Sequence, residues 1–180
     1  MKKNYVFRVM MVLLSLITLS IAGFSQNSKD KELIEDSKNA KAQFVKSDSL
    51  MQSLFDKSYG YVIFPNVGKG AIGVGGAAGN GILFEKGNPV GSAKLKQVSV
   101  GFQFGGQEYR EVIFFESQEA LDRFKQGKFE FAAQASAVAV TAGAATNVKY
   151  TDGVMVFTQE KKGLMYEASI GGQKFGYTPF

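Results

Sequence analysis

The chain has 180 residues, of which 45% are apolar and 13% aromatic, enough for one domain with a packed core. It contains no histidine and no cysteine, which excludes disulfides, Ser/His and Cys/His nucleophile pairs and most zinc and copper sites; we therefore predict no metal and no cofactor. The net charge of +5 falls to +2 without the three basic residues of the leader described next, so the charge does not indicate nucleic-acid binding.

The first 25 residues have the pattern of a secretory signal peptide. Three basic residues come first: Lys2, Lys3 and Arg8. The 14 mostly apolar residues 9–22 follow, and this run is shorter than the roughly 18–20 residues that span a bilayer. Small residues stand at cleavage spacing: Ser20 and Ala22, or Gly23 and Ser25. We expect export to the periplasm or cell surface, with a mature chain from about Gln26; an uncleaved membrane anchor is the alternative.

Residues 26–58 form a predicted helical lead-in. An apolar stripe at helical spacing comprises Leu33, Ile34, Ala40, Phe44, Met51, Leu54 and Phe55. The run Ser47-Asp48-Ser49 resembles an N-cap and predicts two helices in place of one. Six lysines and six acids balance each other between Lys29 and Lys57. This balance favours docking on the protein's own sheet over lying on a membrane, which remains the alternative.

Residues 59–180 predict a β-rich body. A strand at 61–64 ends at Pro65-Asn66, a glycine-rich stretch covers 68–81, and residues 82–84 precede a turn at 86–89. Apolar and polar residues alternate over 98–104, which predicts a hairpin with 109–115 across Gly105-Gly106.

The second half of the body adds one short helix and further strands. Ser117 caps a predicted helix over 118–126, and Phe129 and Phe131 begin a strand that runs into an alanine-rich segment, strand or helix, to Ala145. Residues 154–157 and 164–170 predict a hairpin, and 171–177 a last strand. The predicted fold is α+β: N-terminal helices packed on a curved, glycine-rich antiparallel sheet or barrel, with one further short helix, all in a single domain over 26–180.

The glycine-rich stretch contains a G-x-G-x-x-G pattern at 68–73. A dinucleotide site would need a helix next and an acid about 20 residues later, whereas more glycine follows and Val90 is apolar. We therefore predict that these glycines let strands bend or pack closely. The predicted structural glycines are Gly68, Gly70, Gly73, Gly75, Gly76, Gly79 and Gly81.

Two sets of charged residues are candidates for function. Glu108, Glu111 and Glu116 could supply a carboxylate pair for hydrolysis, but they surround a predicted hairpin, where charges are usually solvated. Five lysines could meet anionic lipid headgroups: Lys69, Lys94, Lys96, Lys161 and Lys162. As turn and strand-edge residues, lysines could instead serve solubility.

Four motifs in order resemble the SYLF lipid-binding domain family. They are Tyr59-Gly60-Tyr61-Val62-Ile63-Phe64-Pro65 with the glycines after it; Val100-Gly101-Phe102-Gln103-Phe104-Gly105-Gly106-Gln107; Phe129-Glu130-Phe131-Ala132-Ala133-Gln134-Ala135-Ser136; and Lys162-Gly163-Leu164 with Ser169-Ile170-Gly171-Gly172. The resemblance covers residues 28–180.

The resemblance implies a domain that binds membrane lipid and is not an enzyme. Eukaryotic members bind phosphoinositides, some bind actin, and bacterial members are often exported. For this chain we expect binding to phospholipid or a membrane surface in the cell envelope, with anionic lipid favoured and no nucleic acid. The alternative is a protein-binding or structural envelope module, whose partner would pair with an exposed sheet edge.

Overall fold

The computed structural model describes residues 28–72, 74–99, 107–131, 136–162 and 168–180. Residues Leu33–Phe180 form one compact unit. The helices are α1 (residues 28–47), α2 (Leu50–Lys57) and α3 (Gln118–Lys125), with a 3-10 turn at Ala144–Asn147. The strands are β1 (Gly60–Ile72), β2 (Val74–Glu85), β3 (Asn88–Ser99), β4 (Gln107–Phe115), β5 (Ser136–Ala139), β6 (Val154–Lys162), β7 (Ala168–Ser169) and β8 (Gln173–Pro179). No helix in these ranges is both long and apolar enough to cross a membrane.

The strands form one sheet in the order β7-β5-β6-β4-β1-β2-β3-β8. Neighbours are antiparallel except β5 and β6, which run parallel. A hydrogen bond from Gln173 of β8 to Glu111 of β4 shows that the sheet is strongly curved. Four strand spacings would separate β4 from β8 by about 19 Å in a flat sheet. The predicted α+β class and the predicted curved antiparallel sheet are confirmed, with the single parallel pair as an addition.

Pro65 lies within a strand, contrary to the prediction that β1 ends there. The register of β1 shifts between Ile63 and Asn66 against β2, and between Phe64 and Val67 against β4. Proline has no N–H to give to a ladder, and a bulge accommodates that loss without ending the strand. The strand therefore continues to Ile72 and pairs with the glycine-rich β2, in which Gly79 lies opposite Val67.

Strand β3 was not predicted before residue 98. Lys86 and Gly87 have positive φ angles of 49° and 79° and form a tight turn, after which β3 begins at Asn88. Its buried positions include Gly91 and Ala93, whose small side chains give little apolar contrast with their neighbours. Residues 100–106, including the predicted turn at Gly105-Gly106, lie outside the described ranges.

Two predicted hairpins are wrong for the strands that the structure describes. Strands β3 and β4 are not neighbours, because β1 and β2 lie between them. Strand β7 pairs with β5 and not with β6, with Ser136 opposite Ser169. Residues 163–167, which include the first four residues of the second strand of that predicted hairpin, lie outside the described ranges, as do residues 132–135. These pairings are long-range, and a local alternation pattern does not encode them.

Each face of the sheet buries its own apolar core. The outer face carries α1 and α2, and its core includes Phe44, Phe55, Phe114 and Phe157. The inner, concave face holds α3, whose Phe124 packs there. Because both faces of the central strands are covered, β4 is buried from Glu111 to Phe115.

Polar groups at the helix ends fix the helix boundaries. Ser117 Oγ accepts a hydrogen bond from Ala120 N at 3.3 Å and caps α3, as predicted. Asp48 divides α1 from α2: one carboxylate oxygen accepts from Leu50 N at 3.0 Å and the other from Ala145 N at 2.9 Å. These hydrogen bonds hold the pKa of Asp48 below its usual value, and the bond from Ala145 N has the largest effect.

Candidate functional site

Three lysines share one exposed part of the outer face, which we call the lysine face: Lys94, Lys96 and Lys174. Alternation along β3 puts Lys94 and Lys96 on the same side, and both are exposed. Lys174 of β8 lies directly opposite Lys96 in the strand register. The neighbouring acid is Glu130, whose carboxylate is 3.5 Å from Lys174 Nζ, but the Lys174 side chain remains 71% exposed. The helices do not cover this end of the outer face, so the three ammonium groups can meet an anionic surface.

Lys161 is placed differently from Lys94 and Lys96. Its Nζ lies 2.6 Å from Glu108 Oε1 and also donates to Asn66 Oδ1, and only 24% of the side chain is exposed. The residue borders a small cavity of about 180 Å³ beneath α1 that Arg110 also lines. Lys161 is therefore engaged within the domain. Lys69 and Lys162 lie in β1 and β6, and their side chains are outside the described part of the structure.

The predicted structural glycines differ in the space around them. A Cβ added at Gly81 would overlap the Ile63 carbonyl oxygen, and at Gly76 or Gly79 it would lie 2.9 Å from a backbone oxygen of the adjacent strand. Gly68 has open space at this position. The surroundings of Gly70, Gly73 and Gly75 are outside the description.

The three candidate carboxylates do not come together. Glu108 pairs with Lys161, and Glu116 is exposed. Glu111, predicted to be solvated, is fully buried on the inner face, which corrects that prediction. The alternation from Tyr109 to Phe115 could have placed Glu111 on this face, but a charge at such a position is rare.

Burial gives Glu111 unusual protonation behaviour. Burial raises the pKa of Glu111 to about 8, against a smaller opposite effect of the hydrogen bond from Gln173. Gln173 Nε2 donates to Glu111 Oε2 at 3.0 Å, while Glu111 Oε1 has no hydrogen-bond partner among the described residues. The carboxyl group is therefore neutral below about pH 8 and can hold a proton inside the domain.

Other buried polar groups surround this carboxyl group. Thr158 lies opposite Glu111 in the register of β4 and β6. Within the part of the chain that the structure describes, the side-chain oxygens of Thr158 and Gln173 have no hydrogen-bond partner. Gln97 Nε2 donates to the Gly171 carbonyl oxygen at 2.9 Å. We call Glu111, Thr158 and Gln173 the inner polar cluster. No group of three acidic side chains suited to a metal ion occurs in the described ranges.

Sequence reasoning missed Lys174 as a member of the lysine face. The run Gln173-Lys174-Phe175 alternates, and Gln173 and Phe175 are buried while Lys174 is exposed. The period-2 pattern of this last strand was available to predict the orientation of Lys174. The pairing of β8 with β3, which places Lys174 opposite Lys96, was not available from the pattern.

Comparison with known proteins gives two matches. Residues 96–177 match the family model described as Ysc84, Las17-binding protein actin regulator, which belongs to the SYLF family. A curated protein from Aeromonas veronii, Beta cell expansion factor A, is 29% identical over 124 residues. The aligned part is 68% of this chain and 47% of that protein, so the chain spans about half the length of this relative. These matches support the resemblance to the SYLF family, and the family model covers residues 96–177, less than half of the chain.

Proposed function

We propose, from the match of residues 96–177 to a SYLF-family model, that this chain binds anionic membrane surfaces and performs no covalent chemistry. The observation that carries the proposal is the lysine face, on which Lys94, Lys96 and Lys174 lie on two paired strands. Each lysine near an anionic bilayer contributes on the order of 1 kcal/mol to binding. Part of the lysine face falls within the segment that the family model matches.

The docking of α1 supports contact through the sheet and not through the lead-in helix. Ala40 and Phe44 of α1 are buried in the outer core. Lys41 lies over the rings of Phe55 and Tyr61, with its Nζ 4.8 and 5.4 Å from the two ring centroids. An amphipathic helix has one apolar face, and the apolar face of α1 is already in use.

The absence of catalysis rests on the chemistry of the side chains. The chain has no histidine or cysteine, and the candidate acids are separated: one pairs with lysine, one is exposed and one is buried. The buried acid, Glu111, accepts a hydrogen bond from the side-chain amide of Gln173. A general acid needs a reacting group within hydrogen-bond reach, which supports a binding role for this domain.

We further propose that the protein acts outside the cytoplasm, after removal of residues 1–25. The support is the leader sequence, with its basic start and short apolar run. Expression of the full chain in a bacterium, followed by fractionation and N-terminal sequencing, tests this proposal. We expect a periplasmic or cell-surface product that begins near Gln26, and a full-length product in the cytoplasm would contradict it.

Vesicle co-sedimentation tests membrane binding. We expect the chain to sediment with vesicles that contain phosphatidylglycerol, less so as salt rises, and not with neutral vesicles. The variant Lys94→Glu/Lys96→Glu should lower the partition coefficient at least about tenfold, because it removes two attractive charges and adds two repulsive ones. The matched control is Lys38→Glu/Lys46→Glu, which makes the same charge change on exposed positions of α1.

The two variants separate the possible contact surfaces. Loss of binding in the β3 variant alone supports the lysine face. Loss in the α1 variant alone would assign the contact to the lead-in helix and contradict the proposed surface. Equal binding of both variants and the parent would contradict an electrostatic membrane role altogether.

A protein-binding role is the second candidate, favoured by the edge of β8. In the described ranges β8 pairs with β3 on one side and has an isolated bridge, Glu130 to Lys174, on the other. An added strand could pair with residues 175–179. Replacing Tyr177 by proline would remove an N–H of this open edge without changing charge, because the N–H groups of Thr178 and Phe180 point to β3 and that of Tyr177 points away from it. Loss of an envelope partner in a pull-down, with vesicle binding intact, would favour this candidate.

A further inference from the structure

A cavity beside the start of β6 suggests a second ligand site, distinct from the lysine face. We propose that this cavity binds a single-chain amphipathic anion, a long-chain fatty carboxylate, one molecule per chain. The cavity has a volume of about 450 Å³, which lies within the usual range of roughly 300–1,000 Å³ for small-molecule sites. The proposal concerns a dissolved ligand and does not depend on membrane binding.

The cavity lies beside the start of β6. Within the described ranges, β5 pairs with β6 only from Val138 opposite Phe157 to Ala139 opposite Thr158, so the first residues of β6 extend beyond this pairing. The residues around Phe131 turn toward β8 instead, where Phe131 N donates to Gln173 O and Gly172 N donates to Phe131 O. The cavity lies between the first residues of β6 and the residues around Phe131. It lies at the boundary where the two cores meet.

The wall of the cavity is apolar and suits an alkyl chain. Phe129, Phe131 and Ile170 contribute buried side chains, and the half-buried Val138 and Val148 also line the space. The rings of Phe129 and Phe131 are in edge-to-face contact, with centroids 5.0 Å apart. Transfer of an alkyl chain from water to such a wall contributes roughly 0.8 kcal/mol per buried CH₂ group.

The rim of the cavity is cationic and suits a carboxylate head. Arg123, Lys128 and Lys149 line it and are exposed. The Arg123 guanidinium is held in place, because Nη2 donates to the Asp152 carbonyl oxygen at 2.6 Å. Of the two acids on the rim, Glu130 is 3.5 Å from Lys174 and is partly neutralised by it. Three cations thus face two acids, Glu130 and Asp152, and the net positive charge of the rim favours an anion over a neutral chain.

Displacement of cis-parinaric acid, a fluorescent fatty acid, tests the site in the purified chain. We expect saturable, one-to-one enhancement of its fluorescence, reversed by palmitate and at least about tenfold less effectively by the uncharged hexadecanol. The variant Val148→Phe should fill the cavity and weaken probe binding at least about tenfold. The variant Lys128→Glu/Lys149→Glu should weaken it by a similar factor while keeping the cavity open.

The lysine-face variant Lys94→Glu/Lys96→Glu is the matched control and should bind the probe with the same affinity as the parent. Thermal unfolding identifies variants that fail to fold, and Val138→Phe then replaces Val148→Phe. The proposal is overturned if the parent does not bind the probe, or if folded cavity-filling variants bind it with unchanged affinity. Equal displacement by palmitate and hexadecanol, with no effect of the rim variant, would overturn the anionic part. Because the control variant changes only the lysine face, failure of the fatty-carboxylate proposal is distinguishable from failure of the membrane-binding proposal.

Discussion

The two faces of the central strands are built from different chemistry. On the outer face, Phe114 packs against Phe55 and Phe157 with centroids 4.9 and 5.9 Å apart, and the helices complete an apolar core. On the inner face of the same strands, the inner polar cluster lies among buried apolar side chains. Consecutive residues of β4, Glu111 and Val112, therefore face opposite environments.

This difference between the two faces indicates that the outer face stabilises the folded state and that the inner face lowers its stability. Burial of aromatic side chains stabilises the outer face with few polar atoms to satisfy. The inner polar cluster carries the desolvation cost of a carboxyl group and of oxygens without partners. We infer that helix docking on the outer face offsets a cost on the inner face, and three predictions test this comparison.

The largest effect is expected from Glu111 as the pH changes. Its pKa is about 8 in the folded state and about 4.5 when the chain is unfolded, so the folded state holds more protons between these values. The free energy of unfolding therefore falls as pH rises through this window, by a few kcal/mol, and levels off above about pH 8. Glu111→Gln keeps a polar group of similar shape but cannot ionise, and it should be more stable than the parent at pH 9.

Urea unfolding at pH 5, 7 and 9 measures this effect. The exposed Glu116→Gln is the control, because it removes the same charge from water and should leave the pH dependence unchanged. If the free energy of unfolding changed with pH equally in the parent and in Glu111→Gln, the Glu111 carboxyl group would not be the source of the destabilisation on the inner face.

An intermediate effect is expected where the inner face is packed against backbone. In Gly81→Ala, the new Cβ would overlap the Ile63 carbonyl oxygen and lie 2.7 Å from Phe64 Cδ1, so we expect destabilisation of roughly 1–3 kcal/mol. Gly68→Ala enters open space and should be neutral or slightly stabilising. Urea midpoints that shift equally in the two variants would contradict the close packing at Gly81.

The smallest effect concerns the outer face at the junction of α1 and α2. Asp48→Ala removes the acceptors for Leu50 N and Ala145 N, and we expect a loss of about 1–2 kcal/mol at neutral pH. The lowered pKa of Asp48 means that its stabilisation is present above about pH 4 and is lost on further acidification. Asp56→Ala removes an exposed acid that bonds only a side chain, Gln52, and should cost less. Equal losses in thermal unfolding would show that the backbone bonds of Asp48 contribute little.

The sequence predicted elements whose signals are local. The cap at Ser117 and the strand at 109–115 each depend on residues within a few positions, and both predictions are confirmed. Strand pairing depends on residues far apart in the chain, and both predicted hairpins that joined successive strands were wrong in the described ranges. Pro65 was misinterpreted because a bulge and a strand end share the same local signal.

The candidate sites follow the same division. The period of two along β3 places Lys94 and Lys96 on one face, whereas the addition of Lys174 requires the pairing of β3 with β8. Lys161 was grouped with the surface lysines because its partner Glu108 is distant in sequence. The cavity depends on where the pairing of β5 with β6 begins, and no sequence pattern reports that position.

The position of β8 has a consequence for the order in which the molecule assembles. Its residues pair with β3, from Gly91 opposite Pro179 to Gln97 opposite Gln173, and they place Phe175 and Gln173 inside the concave face. A polypeptide that emerges from its N-terminus can close the β1–β2 turn early, but it cannot seal the interior until residues 173–179 have been synthesised. Folding of the inner core therefore waits for residues 173–179, and the long-range contacts that it needs make it slow.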